Sequence, residues 1–114
     1  MLLKWLLAAA LLLGQTGNLW AAWPPMFQPP KRYDHPYRGK LIVKTYGAWG
    51  ILRQCGYAWA CTYVGGDGNG RCTVHVMAVG RGWLGQRKVD VAGFRLLVNH
   101  ERGHCNGWPA NHPR

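Results

Sequence analysis

Two histidines one helical turn apart, with a glutamate between them, stand near the end of the sequence at His100, Glu101 and His104. On a helix, residues four apart lie on one face, so both imidazoles can offer a nitrogen to a single ion. The neighbouring glutamate can take a proton from a water molecule that the metal activates. The spacing therefore predicts a Zn²⁺ site capable of hydrolysis.

The residues around this pattern predict the helix that positions it. Asp90 can cap a helix from about Val91 to Asn106, which Gly107 ends and Pro109 prevents from continuing. A helical projection puts both histidines opposite a polar stripe, so they should point inward. The stripe consists of Arg95, Asn99, Arg102 and Asn106. Inward histidines need partners, which a shared metal supplies; the alternative is a pair of core histidines bonded to backbone carbonyls.

The run from His100 to His104 matches HExxH and resembles the active-site motif of the zincin metallopeptidases. With Gly107 it becomes HExxHxxG, which is similar to the metzincin branch. The resemblance implies that Glu101 is the catalytic general base and that both histidines bind zinc. In the metzincin spacing a third histidine would stand at Ala110, so His112 is the expected third ligand.

The same resemblance implies a peptide or protein substrate lying extended along an edge strand above the helix. Residues 71–79 are expected to supply this edge. His75, on that strand, can stabilise an oxyanion or can simply be a half-exposed strand residue. Trp108 can line the cleft as a second substrate-binding residue or can cap the small core.

The remaining segments predict the fold class. Residues 40–46, 57–64 and 71–79 are rich in strand formers, and the glycine-rich stretch 65–70 predicts a hairpin turn. Residues 47–55 fit a short helix or a turn. We expect an α+β fold, with a small antiparallel sheet of about three strands packed on one C-terminal HExxH helix, as in a minimal zincin-like domain.

The N-terminal residues predict export. Lys4 precedes an apolar run that ends in a polar break before Ala21 and Ala22, which is typical of a signal peptide over residues 1–22. An uncleaved anchor is the alternative. Residues 23–38 are rich in proline and predict an extended arm, and residues 39–114 a single small domain. The expected location is periplasmic or secreted.

Four cysteines fit an oxidising compartment: Cys55, Cys61, Cys72 and Cys105. Three pairings are open, and we favour Cys61 with Cys72 across the hairpin and Cys55 with Cys105. Cys105, next to His104, is also an alternative zinc ligand, although a disulfide is expected there.

The charge is strongly unbalanced, with fourteen lysines and arginines against four acidic residues. This favours an anionic envelope or cell-wall surface as a partner, while the scattered basic residues and the lack of a recognisable module argue against specific nucleic-acid binding. The leading hypothesis is an exported zinc metallopeptidase. One alternative is a non-catalytic exported component of a secretion or conjugation machine, stabilised by structural zinc. The other is a cationic, tryptophan-bearing envelope-binding protein.

Overall fold

The computed structural model describes residues 23–24 and 27–114, so the predicted signal peptide lies outside the described residues. The elements are β1 (Lys40–Tyr46), α1 (Ala48–Cys55), β2 (Ala60–Cys61), β3 (Arg71–Met77) and α2 (Val91–Cys105). The expected α+β class, with three strands and a C-terminal helix, is confirmed. Within the described part of the chain, neither helix has the length and hydrophobicity that crossing a membrane requires.

The sheet is mixed, where an antiparallel one was expected. Its strand order is β1-β3-β2, with β1 parallel and β2 antiparallel to β3. Because α1 follows β1 directly, the chain returns to the sheet by a crossover and not by a hairpin, which permits the parallel pairing. The prediction that residues 71–79 form the substrate edge is wrong, because β3 is the central strand and β2 is the edge strand that contacts α2.

Side-chain alternation along β3 divides the sheet into two faces. Cys72, Val74 and Val76 are completely buried on the face that packs against α2, where Leu97 meets them. His75 therefore lies on the opposite face. This thin core explains why disulfides matter in a chain of this size.

The disulfides differ from the favoured pairing. Cys55 bonds to Cys61, and Cys72 bonds to Cys105. The predicted bridges between Cys61 and Cys72 and between Cys55 and Cys105 are therefore wrong. Cys61 pairs with His75 on β3, so its side chain lies on the His75 face of the sheet, away from Cys72. Cys72 instead faces α2, where it reaches the buried Cys105.

Both ends of α2 follow the sequence prediction. The Asp90 carboxylate caps the helix by accepting a 2.6 Å hydrogen bond from the backbone N–H of Gly93. At the other end Gly107 adopts a φ of 101°, and the N–H of Trp108 donates to the carbonyl of Gly103 at 2.9 Å. This Schellman turn reverses the chain beneath the last turn of the helix.

Candidate metal centre

The imidazole rings of His100, His104 and His112 converge on one point. Their Nε2 atoms are separated by 3.0 Å between His100 and His112, 3.1 Å between His104 and His112, and 3.2 Å between His100 and His104. The two helical histidines are buried, and His112 closes the cluster on the solvent side. The predicted set of three histidines is thus brought together.

Backbone carbonyls fix the proton positions on the two helical rings. The Nδ1 atom of His100 lies 2.8 Å from the carbonyl oxygen of Phe27, and that of His104 lies 2.6 Å from the carbonyl oxygen of Trp108. A carbonyl can only accept, so both Nδ1 atoms carry the hydrogen and, in the neutral rings, both Nε2 atoms present lone pairs.

Lone pairs that face each other at 3.2 Å repel unless a cation lies between them. If His112 Nε2 carries a hydrogen, it can donate to only one of the two facing lone pairs at a time. The other lone pair then has no donor, so a cation at the centre would stabilise the cluster. A tetrahedral ion at the usual zinc–nitrogen distance of about 2.0–2.1 Å separates two ligand nitrogens by about 3.3–3.4 Å. The observed spacing is close to this, and the three histidines could bind a metal ion.

The segment after α2 explains how His112 reaches the cluster. The turn at Gly107 sends Trp108 back beneath the histidines, where its ring is fully buried. The Trp108 Nε1–H donates to the carbonyl of Pro113 at 2.8 Å, and the N–H of His112 donates to that of Pro109 at 2.9 Å. These bonds hold the tail in the turn that aims the third imidazole inward.

Trp108 contacts all three rings. It stacks on His104 with centroids 4.9 Å apart and planes 14° apart, and it meets His100 and His112 edge-on at the same distance. The structure therefore places Trp108 behind the cluster, where it supports the three rings. Of the two roles expected from the sequence, this position agrees better with a cap on the small core than with a residue that lines the cleft.

The N-terminal arm contributes contacts that sequence reasoning missed. Besides the Phe27 carbonyl, the Phe27 ring meets the His100 ring edge-on at 5.7 Å. The arm packs closely against α2 at two glycines, where a larger residue would not fit. A Cβ at Gly93 would collide with the indole of Trp23, and one at Gly103 would stand 2.8 Å from Pro29. Interior helix glycines are costly, so this pair was the signal that another segment approaches α2 closely.

Glu101 is buried beside the cluster, with 6% of its surface exposed. Burial raises the pKa of this carboxyl to about 8. Together with the three histidines it lines a cavity of about 230 Å³ bounded by Ala60 of the edge strand.

A second cavity, of about 210 Å³, lies beside the first and is also lined by Ala60, His100 and Glu101. Its other lining residues are largely apolar. They are Phe27, Ala58, Trp59 and Leu97. The two cavities form a cleft along the edge strand, with the histidines and the glutamate at its centre.

Burial also favours the neutral forms of His100 and His112, by lowering the pKa of each. It lowers the pKa of His100 to about 4, aided by the positive charge that His104 and His112 would carry. Burial and then His104 lower the pKa of His112. In their neutral forms these two imidazoles keep a lone pair available to a cation.

His75 is not brought into the cluster. It lies on the sheet face opposite α2, where its Nδ1 atom is 2.8 Å from the Tyr46 hydroxyl, and burial followed by Lys44 lowers its pKa. Cys105 is engaged in a disulfide, so it has no thiolate to offer. In the described part of the chain, no fourth histidine, cysteine or carboxylate joins the three.

Comparison of the chain with protein-family models, curated proteins and solved structures found no match. The two disulfides are consistent with an oxidising, extracellular environment.

Proposed function

We propose that the chain is an exported zinc-dependent metallopeptidase that resembles the zincins. The observation that carries this proposal is the convergence of three Nε2 atoms next to one buried carboxyl group, in a cleft and without a fourth protein ligand among the described residues. Structural zinc sites are closed by four protein ligands, whereas catalytic sites have three. The donor set of imidazoles suits zinc.

The roles of the residues follow from their chemistry. A zinc ion held by His100, His104 and His112 would acidify water and polarise a carbonyl group. Glu101 accepts the proton of the attacking water and delivers it to the leaving amine. Burial raises the pKa of Glu101 to about 8 in the metal-free chain, and the positive charge of a bound zinc ion would lower this pKa and favour the carboxylate that acts as the base.

The edge strand provides the substrate platform. One side of β2 pairs with β3, and an extended peptide can add to its other side by main-chain hydrogen bonds. Such a peptide would cross the cleft with its carbonyl near the cluster and its side chains entering the cavities on either side of Ala60. The apolar cavity would take a hydrophobic side chain.

The test compares the zinc-loaded parent with its Glu101→Gln variant, which keeps the size of the side chain and removes the base. We expect equal zinc content in both, and cleavage of a diverse peptide library, followed by mass spectrometry, that is about 10²- to 10⁴-fold slower in the variant. Equal cleavage by the two proteins would overturn the role of Glu101. Failure of the zinc-loaded parent to cleave any peptide would favour the alternative of a non-catalytic exported component with structural zinc.

A further inference from the structure

Residues 80–89 form a closed loop with a fixed shape. The N–H of Gly80 donates to the carbonyl of Val89, and the N–H of Val89 donates to that of Arg81, both at 2.8 Å. The two arms lie so close that a Cβ on Gly82 would stand 2.5 Å from the carbonyl oxygen of Arg87. The tip of this loop is therefore presented with little conformational freedom to lose on binding.

A leucine stands at the tip, completely in solvent. Leu84 has a relative exposure of 102%, at the corner of a turn that the N–H of Gln86 closes on the carbonyl of Trp83 at 2.9 Å. Gly85 supplies the φ of 77° that this turn requires. A lone exposed leucine is ordinary on a protein surface, so the groups that surround Leu84 decide whether this tip is a binding site.

Aromatic rings form the base of the tip. Tyr57, itself 71% exposed, lies against Trp83 with ring centroids 4.5 Å apart, and Gln86 donates to its hydroxyl at 2.7 Å. Tyrosine and tryptophan favour the boundary between apolar and wet surroundings.

The charges around the tip are positive. Arg81 and Lys88 are exposed at the base of the loop, and Arg87 lies over the ring of Trp23. Asp90, the next acidic residue along the chain, has its carboxylate bound by Trp23 and by the N–H of Gly93. With a net charge of +10, the chain as a whole reinforces this local excess.

We propose that residues 81–88, here named the docking loop, bind the surface of an anionic lipid bilayer. Leu84 enters the acyl boundary, the Tyr57–Trp83 pair lies at the headgroup level, and Arg81 and Lys88 contact lipid phosphates. A hydrophilic polyanion would use the charges but would gain nothing from Leu84, so the exposed leucine favours lipid.

The attachment of the docking loop has a consequence for the cleft. The Trp83 Nε1–H donates to the carbonyl of Ala58 at 3.2 Å, and Ala58 lines the apolar cavity beside the histidines. Docking would thus hold the cleft next to the bilayer surface. This inference is independent of the proposed peptidase activity, because binding requires no hydrolysis.

The test measures partitioning of the zinc-loaded chain onto vesicles of phosphatidylcholine alone and of equal parts phosphatidylcholine and phosphatidylglycerol. We expect binding to the anionic vesicles only. Leu84→Ser should weaken it by about 10-fold or more, because the leucine is no longer buried. Arg81→Gln with Lys88→Gln should weaken it by about 30-fold, from two lost charges near the surface.

Matched controls locate the contact. Lys40→Gln with Lys44→Gln removes the same charge from β1, and Trp49→Ser removes an aromatic ring that is 75% exposed on α1. Both should change binding by less than about 3-fold, since neither site belongs to the docking loop. Absence of binding to anionic vesicles, or an equal loss in these controls, contradicts the proposal. Binding that Leu84→Ser leaves intact and that soluble polyphosphate abolishes would replace it with a polyanion site.

Discussion

The His104 ring is held by Trp108 in two ways: its Nδ1–H donates a 2.6 Å hydrogen bond to the Trp108 carbonyl, and the indole stacks on the imidazole. The carbonyl sets the tautomer and the indole sets the ring plane. Such outer contacts orient a metal ligand and adjust its basicity. Trp108 can do this because the Gly107 turn sends the chain back towards His104, four residues earlier.

Gly103→Ala should weaken zinc binding. A Cβ there would stand 2.8 Å from Pro29 and 3.2 Å from the Trp108 ring, so the arm and the indole must shift. We expect a rise in the zinc dissociation constant of about 10- to 100-fold, as for loss of outer contacts in other sites. Competition with a chelating dye measures it. Gly47→Ala is the control, because a Cβ there meets nothing within 4 Å; equal affinities in the two variants would rule out the support role.

Glu101→Gln should stabilise the metal-free chain, and increasingly so at higher pH. Folding raises the pKa of Glu101 from 4.5 to about 8, so the folded parent keeps a proton that the unfolded chain releases. The parent therefore loses stability as the pH rises from 4.5 through 8, while the glutamine variant does not. The advantage of the variant should grow by a few kcal/mol, at about 1.4 kcal/mol per pKa unit.

Guanidinium denaturation in the presence of a chelator, at pH 5 and pH 8, measures this difference. His100 acts in the opposite sense, since its pKa falls from 6.5 to about 4 on folding, so its contribution is lost as the pH falls through this interval. That contribution is common to the parent and the variant and cancels in the comparison. A difference between the two proteins that stays constant with pH would show that Glu101 is ionised in the folded state.

The two disulfides should contribute unequally to stability. The Cys72–Cys105 bond closes a loop with a sequence separation of 33, against 6 for Cys55–Cys61. Replacing each pair by serines should lower the free energy of unfolding by about 4 and about 2 kcal/mol, respectively. Denaturant titration of both variants measures the order. The loss of Cys105 should also weaken zinc binding, because this residue anchors the helix end that carries His104; the reverse order of stabilities would contradict this role.

Much of the site could be predicted from local spacing. The i, i+4 relation between His100 and His104 is a property of any helix, and the Asp90 cap and the Gly107 stop fix where that helix begins and ends. The bounds of β1 also follow from its strand-forming residues. These features depend only on residues that are close in the sequence, so a single sequence is enough to predict them.

The remaining features depend on contacts between distant segments. The Phe27 carbonyl left no signature, because every residue has a backbone carbonyl. The pairing of Cys72 with Cys105 and the central position of β3 follow from strand register and from the crossover through α1, which residue types alone do not specify.

Calorimetric titration of the metal-free chain with zinc chloride tests the central claim most directly. We predict about one zinc ion per chain, with an affinity that falls by more than about 100-fold in His112→Ala, since losing a ligand should exceed the loss of an outer contact. His35→Ala should bind zinc like the parent, because this exposed histidine lies outside the cluster. Failure of the parent to bind zinc, or unchanged affinity in His112→Ala, would contradict the three-histidine site.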